Sequence, residues 1–164
     1  MLVTKTHDHQ ALAKFPLMGF DIARRSAIIY DSGTEQFTGT TLEGIGQAVL
    51  GVMRQPAETA NRFVSVQSIR TCQQDLLRAF QDATGGEWET ERSTVRELLE
   101  GGRAKHQAGD RGWVLPLVVA QLFDPGEGRG TVGESRQATQ SDLLGVVEES
   151  PRAVVHKALA VVES

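Results

Sequence analysis

The sequence predicts an α/β fold, with helices and short strands alternating around a small mixed sheet. Three features carry that expectation. Short β-branched or aromatic runs close on turn residues, helix starts are written as Ser/Thr-x-x-Glu/Gln boxes, and apolar residues recur at spacings of three and four.

In chain order, residues 1–17 read as an irregular segment. A helical turn fits 10–14, but Pro16 and Gly19 stop anything longer. After Arg24, Arg25 and Ser26, the run Ala27-Ile28-Ile29-Tyr30 reads as a strand closed by the turn Asp31-Ser32-Gly33. Thr40-Thr41-Leu42-Glu43 has the pattern of a capping box, in which the Thr40 hydroxyl accepts from the Glu43 amide and the Glu43 carboxylate reaches back. The helix it opens spans 41–53, with Leu42, Ile45, Val49, Val52 and Met53 as its apolar face. Gly44, Gly46 and Gly51 lower its propensity by up to ~1 kcal/mol each and point to close packing against another element. Pro56 ends it.

Alternation of Phe63, Ser65 and Gln67 with Val64 and Val66 predicts an interior sheet strand over 62–68. Thr71-Cys72-Gln73-Gln74 is a second box, opening a helix over 72–82 that buries Cys72, Leu76, Leu77, Ala79 and Phe80 and ends at Thr84-Gly85-Gly86. Residues 88–91 follow as a short strand. A third box, Thr94-Val95-Arg96-Glu97, opens a helix carrying Val95, Leu98 and Leu99, which Gly101-Gly102 breaks or weakens. The apolar run 113–123 fits a helix by its length, with Pro116 in the first turn, and 124–140 reads as a loop. Leu143, Leu144, Val146 and Val147 pack locally. Ser150-Pro151 caps a last helix over 151–162, whose apolar side is Val154, Val155, Ala158, Leu159 and Val162.

A length of 164 residues, 40% of them hydrophobic and 23% charged, suits one soluble domain. Seventeen Lys and Arg against 21 Asp and Glu give a net charge of −4, so no positive field draws a phosphate backbone or an anionic membrane. Nucleic acid and membrane are not expected partners. The single cysteine, Cys72, makes no internal disulfide, and no targeting segment is read at the N-terminus, so a cytoplasmic location is expected.

Gly128-Arg129-Gly130-Thr131-Val132-Gly133 matches the dinucleotide fingerprint letter by letter, but it neither follows a strand at once nor opens an amphipathic helix. It reads as a flexible loop. His7 and His9 read as part of a solvated terminus, because a closed metal site needs a third or fourth rigid ligand. Cys72 reads as a small buried hydrophobe, and Arg24, Arg25 and Asp31 as surface charge. No Gly-x-Ser-x-Gly elbow and no His-Glu-x-x-His helix occurs, which leaves acyl transfer and metalloprotease chemistry without a starting residue.

From Gly19-Phe20-Asp21-Ile22 and Ile28-Ile29-Tyr30-Asp31-Ser32-Gly33, through Thr41-Leu42-Glu43-Gly44-Ile45-Gly46-Gln47-Ala48-Val49 and Glu58-Thr59-Ala60-Asn61-Arg62, to Thr84-Gly85-Gly86-Glu87-Trp88, the order of motifs resembles the NmrA-like, isoflavone-reductase-like branch of the atypical short-chain dehydrogenases in its fungal form. The resemblance runs over about residues 18–160 and is to the C-terminal half of that family. It implies the C-terminal portion of an NAD(P)-binding Rossmann-type fold, residues 18–164 forming a substrate-side domain, and Met18 and Phe20 adjoining a substrate pocket. It also implies that 62–68 joins the Rossmann sheet. The family's glycine loop and catalytic lysine have no counterpart here, so no catalytic, cofactor-binding or metal residue is carried over. NADPH is the cofactor by resemblance only.

Two functions follow as expectations: a truncated NmrA-type oxidoreductase of a fungal secondary-metabolite pathway acting on a small molecule, or a non-catalytic remnant that binds a small molecule or a protein. Self-association, or a separate nucleotide-binding chain, is expected in either case. The isolated chain is expected to turn over nothing with NADPH.

Overall fold

The computed structural model describes residues 18–126 and 128–162. Strands β1 (Phe20–Asp21), β2 (Ser26–Tyr30) and β5 (Glu89–Ser93) form a mixed sheet in the order β1-β2-β5, with β1 antiparallel and β5 parallel to β2. Strands β3 (Phe37–Gly39) and β4 (Ile69–Thr71) make a separate antiparallel pair with Phe37 opposite Thr71. The helices are α1 (Leu42–Arg54), a short α2 (Pro56–Thr59), α3 (Gln73–Thr84), α4 (Val95–Gln107), α5 (Val114–Phe123) and α6 (Pro151–Val162). The fold is thus α/β, with two small sheets.

Side-chain alternation along β2 builds two cores. Ala27 and Ile29 join Phe20, Leu77, Phe80, Trp88 and Val155, so that α3 and α6 cover one face. Ile28 and Tyr30 meet Phe37, Val95, Val119, Leu122 and Phe123, so that α4 and α5 cover the other. The Phe80 ring holds the first core, its centroid 5.4 Å from Phe20 and 4.8 Å from Trp88. Truncating any of the three to Ala costs about 3–5 kcal/mol. Leu144, Val146 and Ala48 form a third, smaller cluster with Val64 and Val66 against it.

Helix boundaries follow the expected signals with corrections at the caps. The Thr94–Glu97 box is present in both directions, and the Asp31 carboxylate also accepts the Val95 amide at 3.1 Å. For α1 the cap is Thr41, accepting from the Gly44 amide at 3.2 Å, whereas the Thr40 hydroxyl donates to the Val66 carbonyl at 3.0 Å. Cys72 is the N-cap of α3 without a side-chain bond, so the second box does not form. Helix α4 continues through Gly101-Gly102, because Gly102 is buried where α5 crosses it, against Leu117 and Pro116. The apolar run is helical from Val114, with Pro116 in its first turn. In α6, Val155 is buried and Ala158 and Leu159 pack on the first core.

Two larger expectations are overturned. Residues 62–68 form no sheet strand; the ladder begins at Ile69. Their backbone is taken by a loop instead: Ser65 donates to the Gln140 side chain and Gln67 to the Ser141 hydroxyl, each at 2.9 Å, and Gln140 donates back to the Ser65 carbonyl. The buried face of α1 is also a different one. Gly44, Ala48 and Gly51 pack inward, while Leu42, Val49 and Met53 are 41%, 55% and 75% exposed. A Cβ at Gly51 would overlap the Leu144 backbone, so only glycine lets the 141–146 turn approach this closely.

Candidate functional site

The outward stripe of α1 forms one wall of a cavity of about 510 Å³. Ile45, Val49, Val52 and Met53 line that wall, Val64 and Val66 of the segment 62–68 the second, and Val132 and Leu144 close it. Thr38, Thr40, Ser65 and Thr131 supply hydroxyls around these aliphatic side chains. A concave site of this size and lining is the kind that takes apolar surface with a few polar groups to orient it.

The glycine-rich loop forms the third side. The Gly130 carbonyl accepts from the Thr38 amide at 2.9 Å and from its hydroxyl at 3.3 Å, and the Val132 amide donates to the same hydroxyl at 3.1 Å. Gly130 is buried against Phe37 and the Leu122 carbonyl, where a side chain would not fit. Glycine here serves close packing on β3. Among the described residues the Val132 amide is already used, no strand leads directly into the loop and no α-helix starts from it. A pyrophosphate cradle needs free amides, a leading strand and a helix start.

Arg129 is the single charged residue lining the cavity among the described residues, and the Asp124 carboxylate holds it at 2.9 Å. The walls are otherwise neutral. A stronger electrostatic arrangement lies behind α1, where Lys157 of α6 bridges Glu43 at 2.7 Å and Glu149 at 2.6 Å. Burial works to raise the Glu149 pKa, but hydrogen bonds from Lys157, Thr41 and Ser68 together with the Lys157 charge outweigh it and hold the carboxyl below its ordinary value. Lys157 is pushed up by the same bonds to Glu149 and Glu43. This cluster ties α6 to the start of α1.

Met18 and Phe20 do not line the cavity. Phe20 lies in the first core, and Met18 is half-buried in left-handed backbone at φ 56°, packed on the second. Cys72 is buried, which pushes its thiol up and away from nucleophile chemistry. His106 lies against Trp113 with ring centroids 4.6 Å apart and planes tilted by 44°, and His156 is exposed on α6. His7 and His9 lie outside the described residues. Among the described residues no cluster of His, Cys, Asp and Glu could hold a metal ion, and no helix is long and apolar enough to cross a membrane. The cleft itself escaped sequence reasoning, although its signal was present: Gly44, Ala48 and Gly51 repeat at helical spacing as regularly as the aliphatic stripe does.

The chain is 59% identical over 149 residues to Oxidoreductase poxI of Penicillium oxalicum, a match that covers 91% of this chain and 48% of that protein. It is 31% identical over 71 residues to Oxidoreductase aprR of Aspergillus flavus, covering 43% of this chain and 24% of that protein. The chain spans about half the length of the first of these relatives. No family model and no solved structure matches it. Its relatives are thus fungal proteins named oxidoreductases.

Proposed function

We propose that the chain is the substrate-side part of a fungal oxidoreductase of the NmrA-like, isoflavone-reductase-like type, serving a secondary-metabolite pathway. The nicotinamide nucleotide, NADPH on this reading, is held by a segment outside these residues. The observation that carries the proposal is the 59% identity, over nine-tenths of the chain, to an oxidoreductase of twice the length. The described residues support it by what they offer, an apolar cleft edged with hydroxyls. Such a surface contributes orientation and exclusion of water, while the hydride chemistry belongs to the cofactor. On this reading the substrate side begins at Met18 and Phe20, of which Met18 has the more surface to offer.

The reading is tested by NADPH titration, followed by nucleotide fluorescence. The chain alone is expected to bind no NADPH. A chimera in which residues 18–164 replace the matched half of Oxidoreductase poxI is expected to bind it. Saturable binding to the chain alone would refute the division of roles, and a folded chimera that binds no NADPH would refute the oxidoreductase reading.

A further inference from the structure

We infer that the cleft takes an uncharged small molecule with a saturated, ring-shaped or branched hydrocarbon skeleton and a carbonyl oxygen, and that the Val66 amide and the Ser65 hydroxyl receive that oxygen. The inference deepens the proposed function and rests on its reading of the cleft as substrate-side.

Charge complementarity selects the neutral molecule. Among the described residues lining the cleft there is no carboxylate, and Arg129 is held by the Asp124 carboxylate at 2.9 Å. A ligand anion would have to compete with Asp124 for the guanidinium, and a ligand cation would lose its water against aliphatic side chains with no counter-charge beside it. A neutral molecule pays neither cost.

The walls select the skeleton. Ile45, Val49, Val52, Val64 and Val66 are branched and aliphatic, and Met53, 75% exposed, adds a side chain that adapts to what lies beside it. No aromatic ring lines the cleft among the described residues: Phe20, Phe80 and Trp88 are packed in the first core, and Tyr30, Phe37 and Phe123 in the second. A flat conjugated ring draws its extra attraction from aromatic partners, which are missing here. A saturated skeleton gains its binding from dispersion contacts with walls of this kind.

Hydrogen bonding selects the carbonyl. Ser65 and Gln67 each turn both backbone groups to the 136–141 loop, bonding Gln140, Ser141 and Arg136. Val66, between them, turns the other way, where its carbonyl accepts from the Thr40 hydroxyl at 3.0 Å and its amide donates to nothing among the described residues. Both Thr40 and Val66 line the cleft. The hydroxyls of Thr38, Thr40 and Thr131 already give their protons to backbone carbonyls, whereas the Ser65 hydroxyl has no partner among the described residues. The cleft therefore presents free donors at Val66 and Ser65, and a half-buried amide without a partner calls for an acceptor. One carbonyl oxygen, with two lone pairs, can take both.

Amide NMR titration of the 164-residue chain tests this with matched probes: 4-cyclohexylcyclohexanone, the hydrocarbon bicyclohexyl, 4-cyclohexylcyclohexanecarboxylate and the flat ketone 4-acetylbiphenyl. The saturated ketone is expected to bind saturably, at least about tenfold more tightly than the carboxylate or the flat ketone, and to move the Val66 amide proton downfield. Bicyclohexyl is expected to bind without that downfield shift. Ser65→Ala is expected to weaken the saturated ketone about threefold to tenfold and to leave bicyclohexyl unchanged. Val49→Asp, at a position 55% exposed and so compatible with folding, is expected to abolish binding of both. Carboxylate or flat-ketone binding as tight as that of the saturated ketone overturns the inference. So does saturated-ketone binding that leaves the Val66 amide unmoved, and so does the lack of saturable binding by every probe. The same titration on the poxI chimera keeps the two readings apart. A chimera that binds NADPH but not the saturated ketone overturns the inference alone, whereas one that binds the saturated ketone but no NADPH keeps the ligand class and removes the oxidoreductase reading.

Discussion

Gln73 and Tyr30, 43 residues apart, meet through one side-chain amide: Gln73 Oε1 accepts the Tyr30 backbone N–H at 2.9 Å, and Nε2 donates to the carbonyls of Met18 and Ile28 at 2.9 and 3.0 Å. The amide does the work of a short strand between α3 and the sheet. It is completely buried, so no water can replace it. Gln73→Leu keeps the volume and strands the three backbone groups, at about 1–3 kcal/mol for the buried Tyr30 amide and less for the half-buried carbonyls. Urea denaturation is expected to show a loss of about 2–4 kcal/mol. A loss below about 1 kcal/mol would mean that the backbone finds other partners.

Two glycines of α1 should respond in opposite directions. Gly51 faces the Leu144 backbone with no room for a methyl group, whereas Gly46 has nothing within 4 Å. Gly51→Ala is expected to destabilise by about 1–3 kcal/mol, as overpacking does, and Gly46→Ala to stabilise by about 0.5–1 kcal/mol through helix propensity. Thermal melts of both variants measure this. Equal effects of one sign would show that α1 does not present its glycine face inward.

Acid should loosen α6 from α1. The Glu149 pKa lies below its ordinary value of 4.5 in the folded chain, so the folded state favours the carboxylate more than the unfolded chain does. Its stabilisation is complete above the ordinary value and is lost as the pH falls through the lowered one. Melting temperature followed from about pH 6 to pH 3 should therefore drop less steeply in Glu149→Gln than in the natural sequence. Parallel curves would remove Glu149 from the account.

Most of the elements were legible in the sequence because their signals are local. The Thr94–Glu97 box, the Ser150-Pro151 start and the β2 run Ala27-Ile28-Ile29-Tyr30 each specify their own backbone. The strand expected over 62–68 failed for a non-local reason. Alternation marks an extended chain, but whether it becomes a sheet strand depends on what lies beside it, and here Gln140 and Ser141 stand where a neighbouring strand would. The face of α1 failed similarly. Hydrophobic spacing found Leu42, Val49 and Met53, while close packing chose Gly44, Ala48 and Gly51. Both failures fall on the same cleft, which α1 and residues 64–66 line together.

Completion of an oxidoreductase by a second half is the central claim, and steady-state NADPH consumption tests it most directly. Absorbance at the nicotinamide band would be followed with small, low-polarity carbonyl or enone compounds as substrates, for the 164-residue chain and for the poxI chimera side by side. The account predicts no consumption above background by the chain, and consumption by the chimera that falls when Val49→Asp and Met53→Asp place charge in the apolar cleft. Consumption by the chain alone, abolished by a substitution within it, would contradict the account.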